Sequence, residues 1–571
     1  MDNKEYARIL SEIGVLRQIR GDNAFKIRAY ENGARAIENL SEPIENLMDE
    51  GDITKIEGIG KSIAREVEAL RETGVSPAHA ELLEQLDPGL LDVMKVQGLG
   101  PKRIKLLYDK LGVSNLDLLR QAAQSGKIAE LEGMGAKTQE KILHELERLE
   151  ETSGRTPLPA ARAMAVAIRD QLAKVEGVTQ LEVAGSIRRG RETVGDIDIV
   201  VASSDGHMAI FDKFVSLPEV GEVLVRGDTK TSARLRSGIQ VDVRVVTPTQ
   251  FGAALHYFTG SKEHHVKLRT RAKKMGLKIN EYGVFPRESD QPVASQTEEE
   301  LYQVLGLDFI PPEIREGTDE IDRAENHTLP ALIELGQVRG DIHMHTVETD
   351  GRGTIEDMVK AAQALGYDYI AITDHSQAVA VANGMDPDRF AQHIERIRDV
   401  DAATDNFTVM PGIEVDILKD GALDMTHDLL KNCDWVVGSI HSHFNLKPDE
   451  MTRRLIEAIQ TGLLSCIGHP TGRILGGRDG YDFDFDAVLA ACAAKGVALE
   501  INGSTGRLDL NAELAHRAKT HGVKLVLGSD AHSTRGLDDM FFAVQQARRA
   551  GLTAGDVLNT QSAAALKAIR A

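Results

Sequence analysis

From Arg339 onward, short apolar runs alternate about seven times with amphipathic helical stretches, and nearly every run ends in a histidine or an acid. The endings read Ile342-His343, Ile372-Thr373-Asp374-His375, Ile413-Glu414, Ile440-His441, Ile467-Gly468-His469 and Leu527-Gly528-Ser529-Asp530. Such alternation predicts parallel β/α units. In a closed parallel barrel the carboxyl ends of the strands open on one face, so these polar endings would gather at one mouth. Eleven of the 18 histidines fall in this part.

With 571 residues the chain exceeds what one core supports, and three to five domains are expected. A content of 42% hydrophobic and 27% charged residues excludes collagen-like and wholly disordered classes. No run of about 18 apolar residues exists, so no membrane partner is expected. The start, Met1-Asp2-Asn3-Lys4-Glu5, has no apolar core, so a secretory leader is not expected either. Three cysteines form no disulfide framework and suit a reducing cytoplasm. A net charge of −21 does not by itself favour a nucleic-acid partner; the clustering of basic residues decides.

Residues 1–150 read as helical, with three- and four-residue apolar spacing in Tyr6–Arg20 and Ala34–Met48. Within them a glycine pattern recurs three times: Ile56-Glu57-Gly58-Ile59-Gly60-Lys61, Val96-Gln97-Gly98-Leu99-Gly100-Pro101-Lys102 and Leu131-Glu132-Gly133-Met134-Gly135-Ala136-Lys137. A Gly-apolar-Gly turn lets backbone amides approach a phosphate without an intervening Cβ, and the lysine adds a point charge. Such a turn grips nucleic-acid backbone without reading its sequence. The alternative, a glycine cap between packed helices, accounts for one copy better than for three. The repeats resemble helix–hairpin–helix motifs, which implies DNA binding by Gly58, Gly60, Lys61, Gly98, Gly100, Lys102, Gly133, Gly135 and Lys137. Residues 151–159 read as a linker.

Residues 160–315 are mixed α/β, with a helix near Ala160–Lys174 and strands near Gln180–Ala184, Asp196–Val201 and Ile239–Val246. Asp196 and Asp198, two apart on a strand, face one side. Adjacent carboxylates repel unless a cation lies between them. Asp242, in the alternating strand Ile239–Val246, supplies a third acid, enough for two Mg²⁺ ions and in-line phosphoryl transfer. The preceding turn, Gly185-Ser186 with Arg189 and Gly195, suits a triphosphate.

The strings Gly185-Ser186-Ile187-Arg188-Arg189-Gly190 and Gly195-Asp196-Ile197-Asp198 resemble the family X DNA polymerases of the nucleotidyltransferase superfamily, over residues 1 to about 315. Tyr257-Phe258-Thr259-Gly260-Ser261 matches that family's nucleotide-binding turn. The resemblance implies catalytic, metal-binding Asp196, Asp198 and Asp242, with Mg²⁺ or Mn²⁺. It implies nucleotide contacts from Gly185, Ser186, Arg189, Gly195, Tyr257, Phe258, Gly260, Ser261, Lys262 and Arg269. Two departures stand out. His265 and Lys262 replace an asparagine and an aspartate of the animal relatives. Glu66 stands where those relatives carry a Schiff-base lysine, and a carboxylate cannot form that imine. The stretch Lys262–Lys278 carries seven Lys/Arg against one Glu, a basic run expected to face DNA.

In the last part, His343, His345, Asp350, His375, Glu414, His441, His469, Asp530 and His532 offer nine nitrogen and oxygen ligands without a cysteine. Imidazole mixed with carboxylate suits Zn²⁺, Mn²⁺ or iron. These residues resemble the polymerase-and-histidinol-phosphatase (PHP) family over 338–571. That implies a distorted seven-stranded barrel, two or three Mn²⁺ or Zn²⁺ ions, and phosphoester hydrolysis. His443 is a further candidate for substrate contact, and Arg473 and Arg507 are candidates for clamping DNA phosphates.

The fold expected is therefore multidomain, α+β and α/β. It comprises a helix–hairpin–helix domain at 1–80, fingers with further hairpins at 81–155, a nucleotidyltransferase palm at 156–250 and a thumb at 251–317. A linker at 318–337 and a distorted (β/α)7 PHP barrel at 338–571 complete it. The implied function is gap-filling DNA synthesis in repair. The barrel would act as a metal-dependent 3′–5′ exonuclease, with abasic-site endonuclease or 3′-phosphatase activity alongside. Gapped or nicked DNA and deoxynucleoside triphosphates are the expected partners, and a cytoplasmic, nucleoid-associated monomer the expected form. Two other classes compete: a PHP-type small-molecule phosphatase and a non-catalytic DNA-end scaffold.

Overall fold

Tyr6, Leu10, Ile13 and Leu16 recur at helical spacing, and all four are fully buried on one face of the helix Asn3–Arg20. The computed structural model describes residues 3–38, 40, 44–51, 53–56, 58–94, 96, 99–152 and 154–570. Two compact units emerge, Met1–Ser153 and Gly154–Ala571. The first is all-helical. Its periodic stretch Ala34–Met48 is not one helix but is shared between Ala24–Glu38 and Ile44–Glu50. The middle residue of each glycine hairpin, Ile59, Leu99 or Met134, plugs into one common core. Glu66 accepts from the Ser76 hydroxyl at 2.5 Å and the Ala78 amide at 3.2 Å, so it holds the start of the helix Pro77–Gln85.

The second unit opens with the strand Thr156–Pro157, which pairs with Thr193–Val194. Part of the expected linker 151–159 is thus tied into the fold. A five-stranded sheet follows, in the order Val178–Val183, Asp196–Ser203, Gln240–Val246, Lys230–Leu235 and Val220–Arg226. Only the Asp196–Ser203 and Gln240–Val246 pair is parallel. The helices Phe251–Thr259 and Lys262–Lys274 lead into the hairpin Leu277–Asn280 with Gly283–Pro286. The stretch 318–337, expected to be a linker, carries the helix Glu320–Glu325. Its Ile321 and Ala324 pack with Leu268, Tyr302 and Ile310, because two apolar side chains at three-residue spacing need cover.

Seven parallel strands then follow in sequence order: Gly340–Asp341, Tyr369–Ile372, Thr408–Asp416, Trp435–Ser439, Cys466–Ile467, Ala498–Asn502 and Leu525–Gly528. The ring nearly closes. Asp530 donates its amide to the His343 carbonyl at 2.9 Å, and His345 donates to Ala531 at 2.9 Å. Across the seam, the buried Asn559 amide donates to both the Gly340 and the Leu527 carbonyls at 2.9 Å, and accepts from the Leu527 amide. The main core of this barrel is contiguous from Ile333 to Val557. Among the described residues no helix is long and apolar enough to cross a membrane.

Candidate active sites

Alternation along the parallel pair Asp196–Ser203 and Gln240–Val246 buries Ile197, Ile199, Val241 and Val243 and turns the carboxylates to the other face. Asp198 lies directly opposite Asp242 in register. Burial, reinforced by Asp196 and Asp242, pushes the Asp198 carboxyl up to about 7. Asp242 also loses hydration, but the Lys230 ammonium and the Gln240 amide, at 2.9 Å, hold it below the usual carboxylate range. Lys230 went unnoticed in the sequence. It is a single lysine entering the strand Lys230–Leu235, and only the sheet order brings it beside Asp242. A carboxylate with a raised pKa among like charges fits a divalent cation, and Asp196, Asp198 and Asp242 are the residues that would hold it.

Gly185 begins the short helix Gly185–Arg188 with φ +60, its α-carbon against the Asp198 carboxylate, where no Cβ would fit. Ser186, Arg189 and Gly195 share this loop. The Arg189 guanidinium donates to the Thr259 carbonyl, which ties the loop to the nucleotide-turn helix. Tyr257 and Phe258 on that helix lie edge-to-face at 5.1 Å, with Arg269 over Tyr257 at 5.6 Å and Arg244 over Phe258 at 4.4 Å. After Gly260, the Ser261 hydroxyl accepts from the His264 amide at 3.2 Å and so caps the helix Lys262–Lys274. His265 is buried, faces the Tyr257 carbonyl at 3.1 Å, and is pushed down to about 4 by burial. It is a neutral packing residue rather than an exposed base contact. Lys262, Arg269, Lys273 and Lys274 are exposed. Lys267 and Lys278 are exposed too but pair with the Thr318 carbonyl and Asp290, and half-buried Arg271 pairs with Glu325.

In the helical unit Gly60 and Gly100 are N-caps with no side-chain cap, followed by exposed Lys61 and Lys102. Gly58 and Gly133 have φ +93 and +79, and nothing within 4 Å would meet a Cβ at Gly60, Gly100, Gly133 or Gly135. Lys137 is exposed at the start of the helix Ala136–Thr152. Gly98 lies outside the described residues.

At the barrel mouth all nine candidate ligands come together. Glu414 is the hub: its oxygens lie 2.8 Å from His375, 2.9 Å from His469, 3.4 Å from His343 and His441, and 3.7 Å from His345. Asp530 is 3.2 Å from His345, 3.7 Å from His343 and 3.8 Å from His532. Asp350 reaches His375 at 3.6 Å and His532 at 3.4 Å. In three groups one ligand atom from each residue lies within 4.8 Å of the others: His345 with Asp350, His375 and His532; His343 with His345 and Asp530; His375 with Glu414 and His441. The palm acids do not form such a group among the described residues. His343 Nε2, His345 Nδ1, His375 Nδ1, His469 Nδ1 and Glu414 Oε2 are buried without hydrogen-bond partners. Buried imidazoles and carboxylates crowded together with atoms short of hydrogen bonds fit metal ions. His343, His345 and His469 are sealed from solvent, whereas Asp350 and His532 form an open rim.

Around these residues stands a layer that the sequence reading missed. Glu500 accepts from His343 Nδ1 at 2.6 Å and from the His469 amide at 2.6 Å. Asp416 faces His441 Nδ1 at 3.1 Å. Asp374 accepts from Thr346 and Thr349. An acid inside the apolar strand Ala498–Asn502 was the available signal for Glu500. Carboxylates behind ligating histidines fix the tautomer and raise basicity. Glu500→Gln is therefore expected to weaken metal affinity by ~10- to 100-fold, read by metal titration of the nuclease; an unchanged titration would count against this role. His443 is exposed and has φ +55. Arg473 and Arg507, expected to clamp DNA, are engaged internally. Arg473 pairs with Glu192 at 2.8 Å, and Arg507 lies 3.4 Å from Asp530.

Five family models match this chain: helix-hairpin-helix domain at 1–76, SAM-like helix-hairpin-helix tandem at 90–148, DNA polymerase beta palm at 155–233, DNA polymerase beta thumb at 254–316 and PHP domain at 341–504. The DNA polymerase/3′-5′ exonuclease PolX of Bacillus subtilis (strain 168) is 38% identical over 564 residues, 98% of each chain. A probable phosphatase of Shewanella sp. (strain MR-4) is 34% identical over 202 residues, 34% of this chain and 75% of that one. A probable phosphatase of Thermoanaerobacter sp. (strain X514) is 29% identical over 231 residues, 38% of this chain and 89% of that one. With a polymerase beta-type palm and thumb followed by a PHP barrel, and a full-length relative of the same layout, the chain belongs to the PolX family, the family X DNA polymerases that carry a C-terminal PHP domain.

Proposed function

We infer that this chain is a DNA polymerase with a 3′–5′ exonuclease in its barrel, filling short gaps during DNA repair. The observation that carries the reading is one chain with Asp198 opposite Asp242 on the palm and nine imidazole and carboxylate groups gathered around Glu414 and Asp530 at the barrel mouth. The domain bounds expected from the sequence, at 80, 155, 250, 317 and 337, are proposed with it.

At the palm, divalent cations would neutralise charge on the triphosphate and lower the pKa of the primer hydroxyl. Ser186, Arg189 and Gly195 bind the triphosphate through hydroxyl, guanidinium and backbone amide. Tyr257, Phe258 and Gly260 shape the sugar and base site, and Lys262 and Arg269 add positive charge. The primer 3′ oxygen bonds to the α-phosphorus, the bond to the bridging oxygen breaks, and pyrophosphate leaves. Asp242 accepts the hydroxyl proton once Lys230 has withdrawn from it. Glu66 leaves the helical unit without an imine-forming lysine at that position, so no lyase step is assigned.

At the barrel, Mn²⁺ or Zn²⁺ held by the nine ligands would supply a water nucleophile and neutralise the phosphate. Glu414 sets the spacing of five imidazoles, Glu500 and Asp416 fix the tautomers of His343 and His441, and the open rim at Asp350 and His532 admits a strand end. Abasic-site cleavage and 3′-phosphate removal would use the same mouth.

The two phosphatase relatives favour a second reading for the barrel alone, hydrolysis of small phosphate esters. Competition separates the two: gapped duplex should block hydrolysis of a small ester if DNA is the substrate. DNA affinity should also fall steeply with salt. If the hairpins and thumb neutralise about six phosphates, the loss between 50 and 200 mM salt is ~10³-fold. A flat salt response in a binding titration would remove the DNA reading, and binding without turnover would leave only a scaffold.

A further inference from the structure

The triphosphate loop Gly185–Gly195 is gripped from two sides. On the thumb side, Arg188 pairs with buried Glu298 at 2.6 Å and donates to Thr259 at 2.8 Å. On the other side the grip comes from the nuclease barrel. Gln546 donates to the Gly190 carbonyl at 3.0 Å, and Arg549 donates to the Arg189 carbonyl at 2.7 Å. Arg473 makes two bonds to Glu192, at 2.8 and 3.1 Å. Gly190 has φ +70, and a Cβ there would lie 2.6 Å from the Gln545 side chain, so the loop and the helix Met540–Arg549 approach as closely as glycine permits. Phe542 and Leu508 of the barrel are buried in the palm core beside Leu158 and Ile187.

Arg473 is held before it meets Glu192. Its guanidinium also donates to the Arg507 carbonyl at 3.1 Å and to the Leu508 carbonyl. Little rotamer freedom is left to lose in forming a two-bond pair, which makes this contact stronger than an exposed ion pair. The carbonyls of Arg189 and Gly190 are thereby committed to the barrel, while the amides of Arg188 to Arg191 bond back to Ala184, Gly185, Ile187 and Ser186, so the loop is fixed from outside and from within.

We propose that Arg473, Gln546 and Arg549 are positioning residues for nucleotide binding, so that the nuclease barrel is part of the polymerase's triphosphate site. The inference rests on the reading of Gly185–Gly195 as the triphosphate loop. A loop released from the barrel must be ordered at the moment of binding, which weakens nucleotide affinity and leaves the chemical step alone.

The test uses the full chain and steady-state incorporation of a single deoxynucleotide on gapped DNA. Glu192→Gln, close in shape, should raise the nucleotide KM about 5- to 10-fold with kcat within about twofold, and leave the exonuclease rate unchanged. Arg473→Ala should do the same to KM, and Arg473→Lys should restore part of it. The double variant should be no worse than the worse single one, since both remove one contact. Unchanged KM in both single variants, or effects that multiply in the double one, overturns the proposal. An Arg189→Ala variant with wild-type KM while Glu192→Gln is impaired would instead sink the triphosphate reading, and the proposal with it.

Discussion

Asp198→Ala is expected to lower nucleotide addition ~10³-fold or more, about 4 kcal/mol of barrier, while exonuclease activity stays within about twofold. Asp198 faces Asp242 across the parallel pair and has no part in the barrel mouth. Primer extension and degradation of one 5′-labelled gapped substrate measure both at once. Loss of both reactions in a folded variant would show that the sites are not independent. The same residue gives a pH signature. In chelator, burial among Asp196 and Asp242 pushes its carboxyl up to about 7 in the folded chain, above the ordinary carboxylate value of 3.8. Below about pH 4 it is protonated in both states and contributes nothing. As pH rises towards 7 the unfolded state releases the proton first, so stability falls, and the loss is complete above 7. Asp198→Asn should therefore have a higher Tm than the parent at pH 8 and an equal one at pH 4. Adding Mn²⁺ should reverse the order at pH 8, because only the parent can bind it fully.

Glu414→Ala is expected to abolish the nuclease, again by ~10³-fold or more, and to leave nucleotide addition nearly intact. Among the described residues no other carboxylate lies within 4 Å of five imidazoles. Burial alone would favour its protonated form, but His441, His375 and His343 hold it well below the usual carboxylate range. Removing it leaves buried imidazoles without their common counter-charge, and bound manganese should fall in direct metal analysis. A variant that kept its metal and its exonuclease would place the chemistry elsewhere.

The gathering of the nine candidate ligands was legible because all but Asp350 stand close to a strand end, and parallel strands leave their ends at one mouth. The seven strands and the two acid-bearing strands were legible for the same reason, local periodicity, whereas the parallel pairing of those two strands came only from the fold. What sequence could not supply was pairing across distance. Glu500 acts only because Ala498–Asn502 lies beside the strand that leads to His469, and Lys230 only because its strand lies beside Gln240–Val246. Arg473 looked like a clamp for DNA because an arginine near a ligand histidine is cationic in any reading; its partner Glu192 is 281 residues away. The stretch 318–337 looked like a linker because its acids dominate, while buried Ile321, Ala324, Leu332 and Ile333 decide its packing.

The barrel seam carries a consequence for how the chain is made. Its first strand has only two residues, and closure relies on Asn559 and on the stretch Asp530–Ala531, all encoded far downstream of the palm. Domains fold as they leave the ribosome, amino-terminal parts first. A nascent chain released through residue 500 would thus hold its three palm acids in place while the mouth still lacked Asp530 and His532. Gln546 and Arg549, which hold the triphosphate loop, also come after residue 500, so neither pocket would be finished until the last helices emerge.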